Sequence, residues 1–530
     1  MSDQAQDSPA WISPAYQEMQ PRWSRCRDVR GGTEVFRAKR AQYLPKFEVE
    51  SPKDWAARVE MTVVVDWLEQ AITTFVGIGM RHDPTLGADV PPEIVEDWEN
   101  LDGDGNHGAM VAQRALDQAL TDGHVVLFTD HPTATATLTR QQEQELRIRP
   151  YVMRVAVDRI PSWRVGMIGG ERWLLQFVIQ ETTDEPDGTF ATSPKTRYRV
   201  FRQQFESAGS GSGGVMGLDL TRPYVSWETW EEVSGHGVNA TVKTNEGTLR
   251  GPTRIPVAVV YGGQGTGILM SKPPFDGLAF SNIRWAQVMS DRTASLHRCG
   301  IPIPVIIGQL AADPTTLKQP ADLKLSSSSP LQIDVGGDFK IVEAQGTVLE
   351  QARLELQDWE KRIGAQSLAI LQRDTAGAET ATAHRMNRGR EESKLARALR
   401  SLEDALELSL QFMADYRGLD RELIDVTVQR DFGDVVDPQT LDLLSRLQER
   451  GQLTITRLLM ELQRASVFGN DFVVADEVAD IERGMGMEPM GMGPPPATEV
   501  AAMTDAELAA ELAVLDAEHR KRVAAGAQGA

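Results

Sequence analysis

The sequence predicts an α+β protein built from several structural units, and three observations carry that expectation. Apolar residues recur at helical spacing in long stretches, most clearly Leu395, Leu399, Leu402, Leu406, Leu410 and Met413, a 4-3-4-4-3 seam. Residues 146–259 are instead rich in short β-branched and aromatic runs. The chain has 530 residues, enough for two to four units with sizeable cores.

Taken in order, residues 1–40 are polar and carry Arg22, Arg25, Arg27, Arg30, Arg37, Lys39 and Arg40, as expected of an arm or peripheral helix. Ser51-Pro52-Lys53-Asp54 reads as a capped helix start, with helix expected through about Gly77. A second helix is expected over Ala109–Thr121, stopped by Asp122-Gly123, and His124–Thr129 (HVVLFT) reads as a strand. Further strands are expected at 147–157, 173–181, 196–201, 224–231 and 256–261, with Ser207–Gly214 a hairpin tip.

Phe275–Arg298 follows as a helix, with Leu278, Trp285, Met289 and Leu296 near one face and Gly300 and Pro302 ending it. A short mixed insert covers 300–346, with strands at 305–307, 331–333 and 339–342. A second helix runs from Thr347 to about Leu371. After a polar joint comes the seamed helix, Glu392–Tyr416, and then three shorter helices at 441–450, 453–465 and 472–483. Residues 484–496 read as a linker and 501–522 as a charged helix.

The chain is 41% hydrophobic and 25% charged, which is ordinary for a soluble globular protein. Its net charge of −21 argues against a protein that coats nucleic acid, since tight binding needs clustered Lys and Arg to replace counterions. It leaves room for DNA that passes without sticking. Cys26 and Cys299 form no CxxC pair and read as two reduced thiols. The N-terminus has no signal-peptide hydrophobic region. The best membrane candidate, Thr62–Met80, is interrupted by Asp66 and Glu69 and reads as a core helix.

Several motifs fail the chemistry they imitate. Gly262–Gly267 (GGQGTG) is followed by Ile268 and Leu269 where a Walker A loop needs Lys then Ser or Thr, so a turn is expected. The GxGxxG spacing at Gly209–Gly214 has no helix after it. Asp102, Asp104 and Asn106 start like a calcium loop, but His107 and Gln113 stand where Gly and Glu are needed; a turn and helix cap is expected. Asp431-Phe432-Gly433 lacks the other kinase motifs. No histidine pair has metal-ligand spacing, and His297 and Cys299, two apart, do not share a helix face. No catalytic residue, metal site or cofactor is assigned.

In its order of segments the chain resembles the portal proteins of tailed bacteriophages, in particular a subgroup first catalogued as phage proteins of unknown function. The resemblance rests on dispersed residues: Tyr43-Leu44-Pro45-Lys46; Asp122-Gly123-His124 through Asp130-His131-Pro132; Pro161-Ser162-Trp163-Arg164; the Pro273-Pro274 helix; and Glu379-Thr380-Ala381-Thr382-Ala383 before the seamed helix. It covers most of 40–485. It implies a homo-oligomeric ring, typically of twelve subunits, at one capsid vertex. Double-stranded DNA would be packaged and ejected through that ring in a virion assembled in the host cytoplasm.

Laid on this sequence, the resemblance implies an α+β, portal-like architecture. Residues 1–40 would be an N-terminal arm, 41–270 a mixed α/β wing, 271–299 and 347–372 the stem helices, and 300–346 the clip. Residues 373–390 would be a tunnel loop, 391–435 the wing helix and connection, 436–485 a helical crown, and 486–530 linker and tail. Implied partners are the terminase large subunit, which would hold the ATPase, a head-tail adaptor, and the major capsid or scaffolding protein; no membrane is implied. Candidate clip docking residues are Leu310, Asp313, Lys318, Lys324 and Ser327.

Two readings stay open for the joint. Thr375, Ala376, Gly377, Ala378, Glu379 and Thr380, with Arg385, Arg388 and Arg390, are either a DNA-facing loop and its basic base or a solvated helix–helix turn. Two other functions also stay open: a helical scaffold or adaptor assembling through the 395–413 seam, and a hydrolase with an unrecognised site.

Overall fold

A computed structural model describes residues 7–48, 50–132, 142, 146, 148–207, 218–232, 241–299, 303–307, 338–342, 347–367, 381–430, 446–448, 450, 453–464, 474 and 477–478. The chain divides into two contact units, Met1–Phe432 and Gly433–Ala530. In the first, six helices precede or interleave with the first strands: α1 (Pro14–Arg30), α2 (Gly32–Lys39), α3 (Pro52–Met61), α4 (Trp67–Gly79), α5 (Pro92–Trp98) and α6 (Gly108–Asp122). The strands are β1 (Thr85–Leu86), β2 (His124–Asp130), β3 (Tyr151–Val155), β4 (Trp163–Ile168), β5 (Glu171–Pro186), β6 (Thr192–Ser207), β7 (Leu218–Glu232), β8 (Thr241–Thr248), β9 (Val257–Tyr261), β10 (Gly265–Gly267) and β11 (Met270–Ser271). Then come α7 (Asp276–Cys299), β12 (Ile303–Ile307), β13 (Asp338–Val342), α8 (Thr347–Ser367), α9 (Ala381–Arg417) and β14 (Val426–Thr427). The fold class is α+β, as the sequence predicts.

Strand β2 is the hinge of the architecture. It is the centre of an antiparallel sheet in the order β3-β2-β9, and all seven of its residues are buried. Because side chains alternate across a strand, each face serves a different core. Val125 and Leu127 enter the large helical core, while Val126 and Phe128 enter a second core against the five-stranded antiparallel sheet β4-β5-β6-β7-β8. There Phe128 meets Phe201 at 4.8 Å and Phe177 at 6.2 Å between ring centroids. At the end of β2, Asp130 is held by both terminal nitrogens of Arg199 on β6, at 2.7 and 2.9 Å, which ties the two sheets together.

The leucine seam lies on α9. Its six members are at most 1% exposed and pack into the large core, where α9 crosses β9, β2, α6 and α4. Thr129 of β2 donates to the Ser409 carbonyl at 3.1 Å, and the Tyr261 amide donates to Ser401 Oγ at 2.8 Å.

Three expectations are corrected. The helix expected to run from 53 to 77 is two, because Thr62-Val63-Val64-Val65 is a β-branched run with poor helix propensity. Tertiary bonds hold that run extended: Val64 N–H donates to Thr33 Oγ1 at 3.0 Å and Asn282 Nδ2 to the Val65 carbonyl at 3.1 Å. The N-terminal segment, expected as an arm or peripheral helix, is a working part of the core. Tyr16, Met19, Trp23 and Cys26 form a 3-4-3 stripe on α1, and all are buried, as are Val29 and Phe36. Strands β4 and β8 lie where no strand is expected.

In the second unit α10 (Ile455–Arg464) falls within the expected helix 453–465. The strand expected at 331–333, the Gly209–Gly214 and Asp431–Gly433 motifs, the linker and the tail lie outside the described residues. Among the described residues no helix is long and apolar enough to cross a membrane.

Candidate functional site: the paired helices and their insert

Helices α7 and α8 leave and re-enter the body side by side. At 1.5 Å per residue their 24 and 21 residues make rods of about 36 and 31 Å. Cross-contacts set their direction. Ser281 Oγ donates to Gln366 Oε1 at 2.9 Å, Trp285 Nε1 to Glu360 Oε1 at 3.2 Å, and Arg284 pairs with Glu355 at 3.6 Å. Ser281 meets Gln366 near the end of α8, while Arg284 and Trp285, farther along α7, meet the earlier residues Glu355 and Glu360, so the helices are antiparallel. The same order continues into the insert, where β12 and β13 pair antiparallel from Ile303↔Val342 to Ile307↔Asp338.

The outgoing helix is clamped at its base. Leu278, Ala279, Asn282, Trp285, Ala286, Val288 and Ser290 of α7 are buried. Arg25 of α1 bonds Asp276 in the first turn and lies over the Phe280 ring at 3.7 Å. Gln287 donates to the Tyr43 carbonyl at 2.9 Å. Arg58 of α3 reaches the Pro45 carbonyl at 2.7 Å and Ser290 Oγ at 3.3 Å. Trp55 Nε1 donates to the Leu44 carbonyl at 2.9 Å, so the Tyr43-Leu44-Pro45 backbone is a bracket between the N-terminal helices and α7.

The returning helix is far more exposed. Of its described side chains only Leu356 and Ile363 are buried, while Leu354 is 41% exposed and Trp359 is half-buried. Arg353 bonds Glu350 on the surface and holds its carboxyl below the usual carboxylate range. Burial raises the Asp291 carboxyl on α7, against the lowering pull of Arg58 and Arg284.

The basic N-terminal segment is mostly an internal matter. Arg27 takes both carboxylate oxygens of Asp122 at 2.8 and 2.7 Å, and Arg30 bonds Asp117, Glu69 and Thr121. Lys39 holds Asp28 at 2.6 Å beside the Tyr43 hydroxyl. These partners lie up to 95 positions away in sequence, which is why the segment reads as a free arm. The 3-4-3 apolar stripe on α1 is the signal that could have revealed its docking.

The dismissed motifs take plain roles. Asp102 Oδ1 accepts from the amides of Asp104 and Asn106, and His107 Nδ1 caps α6 by accepting from Ala109 N–H at 3.1 Å. The GGQGTG stretch turns from β9 into β10, and a Cβ at Gly262 would stand 2.1 Å from the Ala119 carbonyl oxygen. His297 and Cys299 sit in the last turn of α7.

Residues 274–417 match the family described as a domain of unknown function, DUF4055. The matched stretch opens two residues before α7 and closes on the last residue of α9. It is thus the paired helices, their insert and the seamed helix. No curated protein matches the chain. Among solved structures it is similar to a chain from the neck of an empty gene transfer agent (GTA) particle computed with C6 symmetry, at 12% identity, TM-score 0.37, covering 76% of this chain and 91% of that one. It is also similar to a chain of the native GTA virion, with 12% identity, TM-score 0.37 and coverages of 79% and 96%. A third, from the native GTA neck computed with C12 symmetry, has 12% identity, TM-score 0.37 and coverages of 81% and 98%.

The candidate residues fall as follows. Thr375, Ala376, Gly377, Ala378, Glu379 and Thr380 lie outside the described residues, as do Leu310, Asp313, Lys318, Lys324 and Ser327. Arg385, Arg388 and Arg390 lie on α9, which starts at Ala381 and not at Glu392 as expected. Six of the eleven residues at 381–391 are Ala, Met or Arg, good helix formers set against weaker ones such as Thr382, Asn387 and Gly389. The joint between helices therefore ends ten residues sooner than expected, and the three arginines belong to a helix.

Proposed function

We propose that this chain is the portal subunit of a tailed-phage-type particle. Copies close into a ring, typically of twelve, at one capsid vertex, and double-stranded DNA enters and leaves through the axial hole. The observation that supports it best is the antiparallel pair α7–α8 carrying the β12–β13 insert at its far end. Alone, such a pair leaves most of α8 uncovered. Repeated around a ring, each pair covers its neighbour and the rods wall a channel. On this reading the insert is the clip that the terminase large subunit and then the head-tail adaptor grip. The sheets and α9 form the wing against capsid or scaffolding protein, and ATP hydrolysis belongs to the terminase. The acidic balance of the chain suits a conduit through which DNA must slide.

The scaffold reading loses its premise, since the 395–413 seam it would assemble through is buried within the chain. Electron microscopy of the purified protein tests the portal reading. Closed rings with an axial hole are expected; a monodisperse monomer at high concentration would overturn it.

A further inference from the structure

Strands β5 and β6 run on beyond the sheet that supports them. Ile179 is the last buried residue of β5, yet the strand continues to Pro186, about 23 Å farther at 3.3 Å per residue. From Thr182↔Thr196 to Pro186↔Thr192 the ladder has only two strands, because β7 ends opposite Arg197. Residues 182–194 are all exposed. The ribbon is held by cross-strand ion pairs, Lys195 with Glu185 at 3.2 Å and with Glu231 at 2.9 Å. Its tip closes with Asp187 N–H on the Ala191 carbonyl at 2.8 Å and Gly188 at a φ of +91°. At that tip stands Phe190, 99% exposed. A bare two-stranded ribbon is marginal in water and gains nothing within the chain from a solvated aromatic ring.

We infer that this ribbon is a hook by which one copy holds the next, with Phe190 seated on the α1–α2 face of the neighbour. The argument is charge and shape. Toward its tip the ribbon carries Asp184 and Asp187, while Glu185 is paired with Lys195. Residues 14–46, in a chain of net charge −21, hold eight Lys or Arg against three acids. Arg25, Arg27, Arg30, Arg37 and Lys39 are spent on ion pairs within the chain. The other three, Arg22, Arg40 and Lys46, make no ion pair among the described residues, and Arg40 and Lys46 are exposed. The same segment lines a surface groove of about 340 Å³ with Gln20, Pro21, Ser24, Arg25, Gln42 and Tyr43, residues that flank Arg22 and Arg40 in sequence. An acidic tip with an aromatic point fits a segment of net positive charge whose groove has Pro21 and Tyr43 in its walls. Hook and groove sit on different parts of one chain, so the contact is head-to-tail, the type that closes into rings.

The inference rests on the portal reading, and its test keeps the two apart. Ring content is measured by mass photometry for the wild type, for F190D and for the double variant D184K/D187K, with melting temperature as the fold control. Wild-type rings are expected, with about a tenfold loss of rings in both variants and unchanged melting. Adding R22E/R40E to D184K/D187K should restore rings by swapping the charges. Rings at wild-type level in F190D and D184K/D187K overturn the hook and leave the portal reading standing. Loss without rescue by the swap overturns the α1–α2 face as its seat. A wild type that stays monomeric removes both.

Discussion

Arg58 and Glu50 face each other with side chains only 3% exposed, and the guanidinium reaches both carboxylate oxygens at 2.9 Å. The pair also touches α7, since Arg58 lies 3.3 Å from Ser290 Oγ and 3.4 Å from Asp291. A fork of this kind uses several guanidinium donors at once, which a lysine cannot do.

Replacing Arg58 with Met should cost about 3–5 kcal/mol, because it leaves the Glu50 carboxylate buried without its counter-charge. The double variant R58M/E50Q should recover part of that loss. Urea unfolding of the three proteins checks this. A single variant as stable as the wild type would show that the bracket is not holding α7.

His124 predicts a pH dependence. Its ring is 2% exposed, accepts or donates one hydrogen bond with Ser271 Oγ at 3.2 Å, and is driven by burial down to about 3. The folded protein therefore holds it neutral, while the unfolded chain protonates it near 6.5. Above that pH the group contributes nothing unfavourable. As pH falls from about 6.5 toward 3 the unfolded state gains a proton that the folded state refuses, and stability drops by about 1.4 kcal/mol per unit. Carboxylates titrate in the same range, so the measured quantity is the difference between wild type and H124Q. The wild type should lose stability faster between pH 7 and 5; equal slopes would refute the buried neutral ring.

Close packing gives a sharper contrast. Gly262 has no room for a side chain, since a Cβ would meet the Ala119 backbone at 2.1 Å to oxygen and 2.4 Å to carbon. G262A should push β9 off α6 and cost about 1–3 kcal/mol. Leu406, fully buried in the seam, should cost about 2–5 kcal/mol as Ala. Leu354→Ala, at a 41% exposed site on α8, should leave an isolated subunit within about 0.5 kcal/mol of wild type. Thermal melts of all three rank them, and a mild L406A would mean the seam is not core.

What the sequence reveals here follows physical range. HVVLFT reads as β2 and the leucine repeat as α9 because both signals are local and periodic. The break between α3 and α4 was missed because a β-branched run is only weakly unfavourable in a helix until Thr33 and Asn282 offer its backbone other partners. The role of the N-terminal arginines was missed because their acids are remote: Asp122 is 95 positions from Arg27. The paired helices were legible as elements, but not the bracket at 43–45 that holds them, since backbone carbonyls leave no mark in composition.

The arginines of α9 supply the last prediction. Arg385 and Arg388 lie three residues apart on one helix. They follow directly from the joint that the portal reading turns toward the channel. Glu has nearly the helix propensity of Arg, so R385E/R388E should leave α9 formed and rings assembled. If these arginines face DNA, as the portal reading proposes, the exchange turns weak phosphate contacts into repulsion. The expected result is normal ring yield by electron microscopy with packaged DNA reduced at least several-fold. Full packaging in the double variant would assign these arginines to the solvated surface of a helix, and loss of rings would assign them to contacts between subunits.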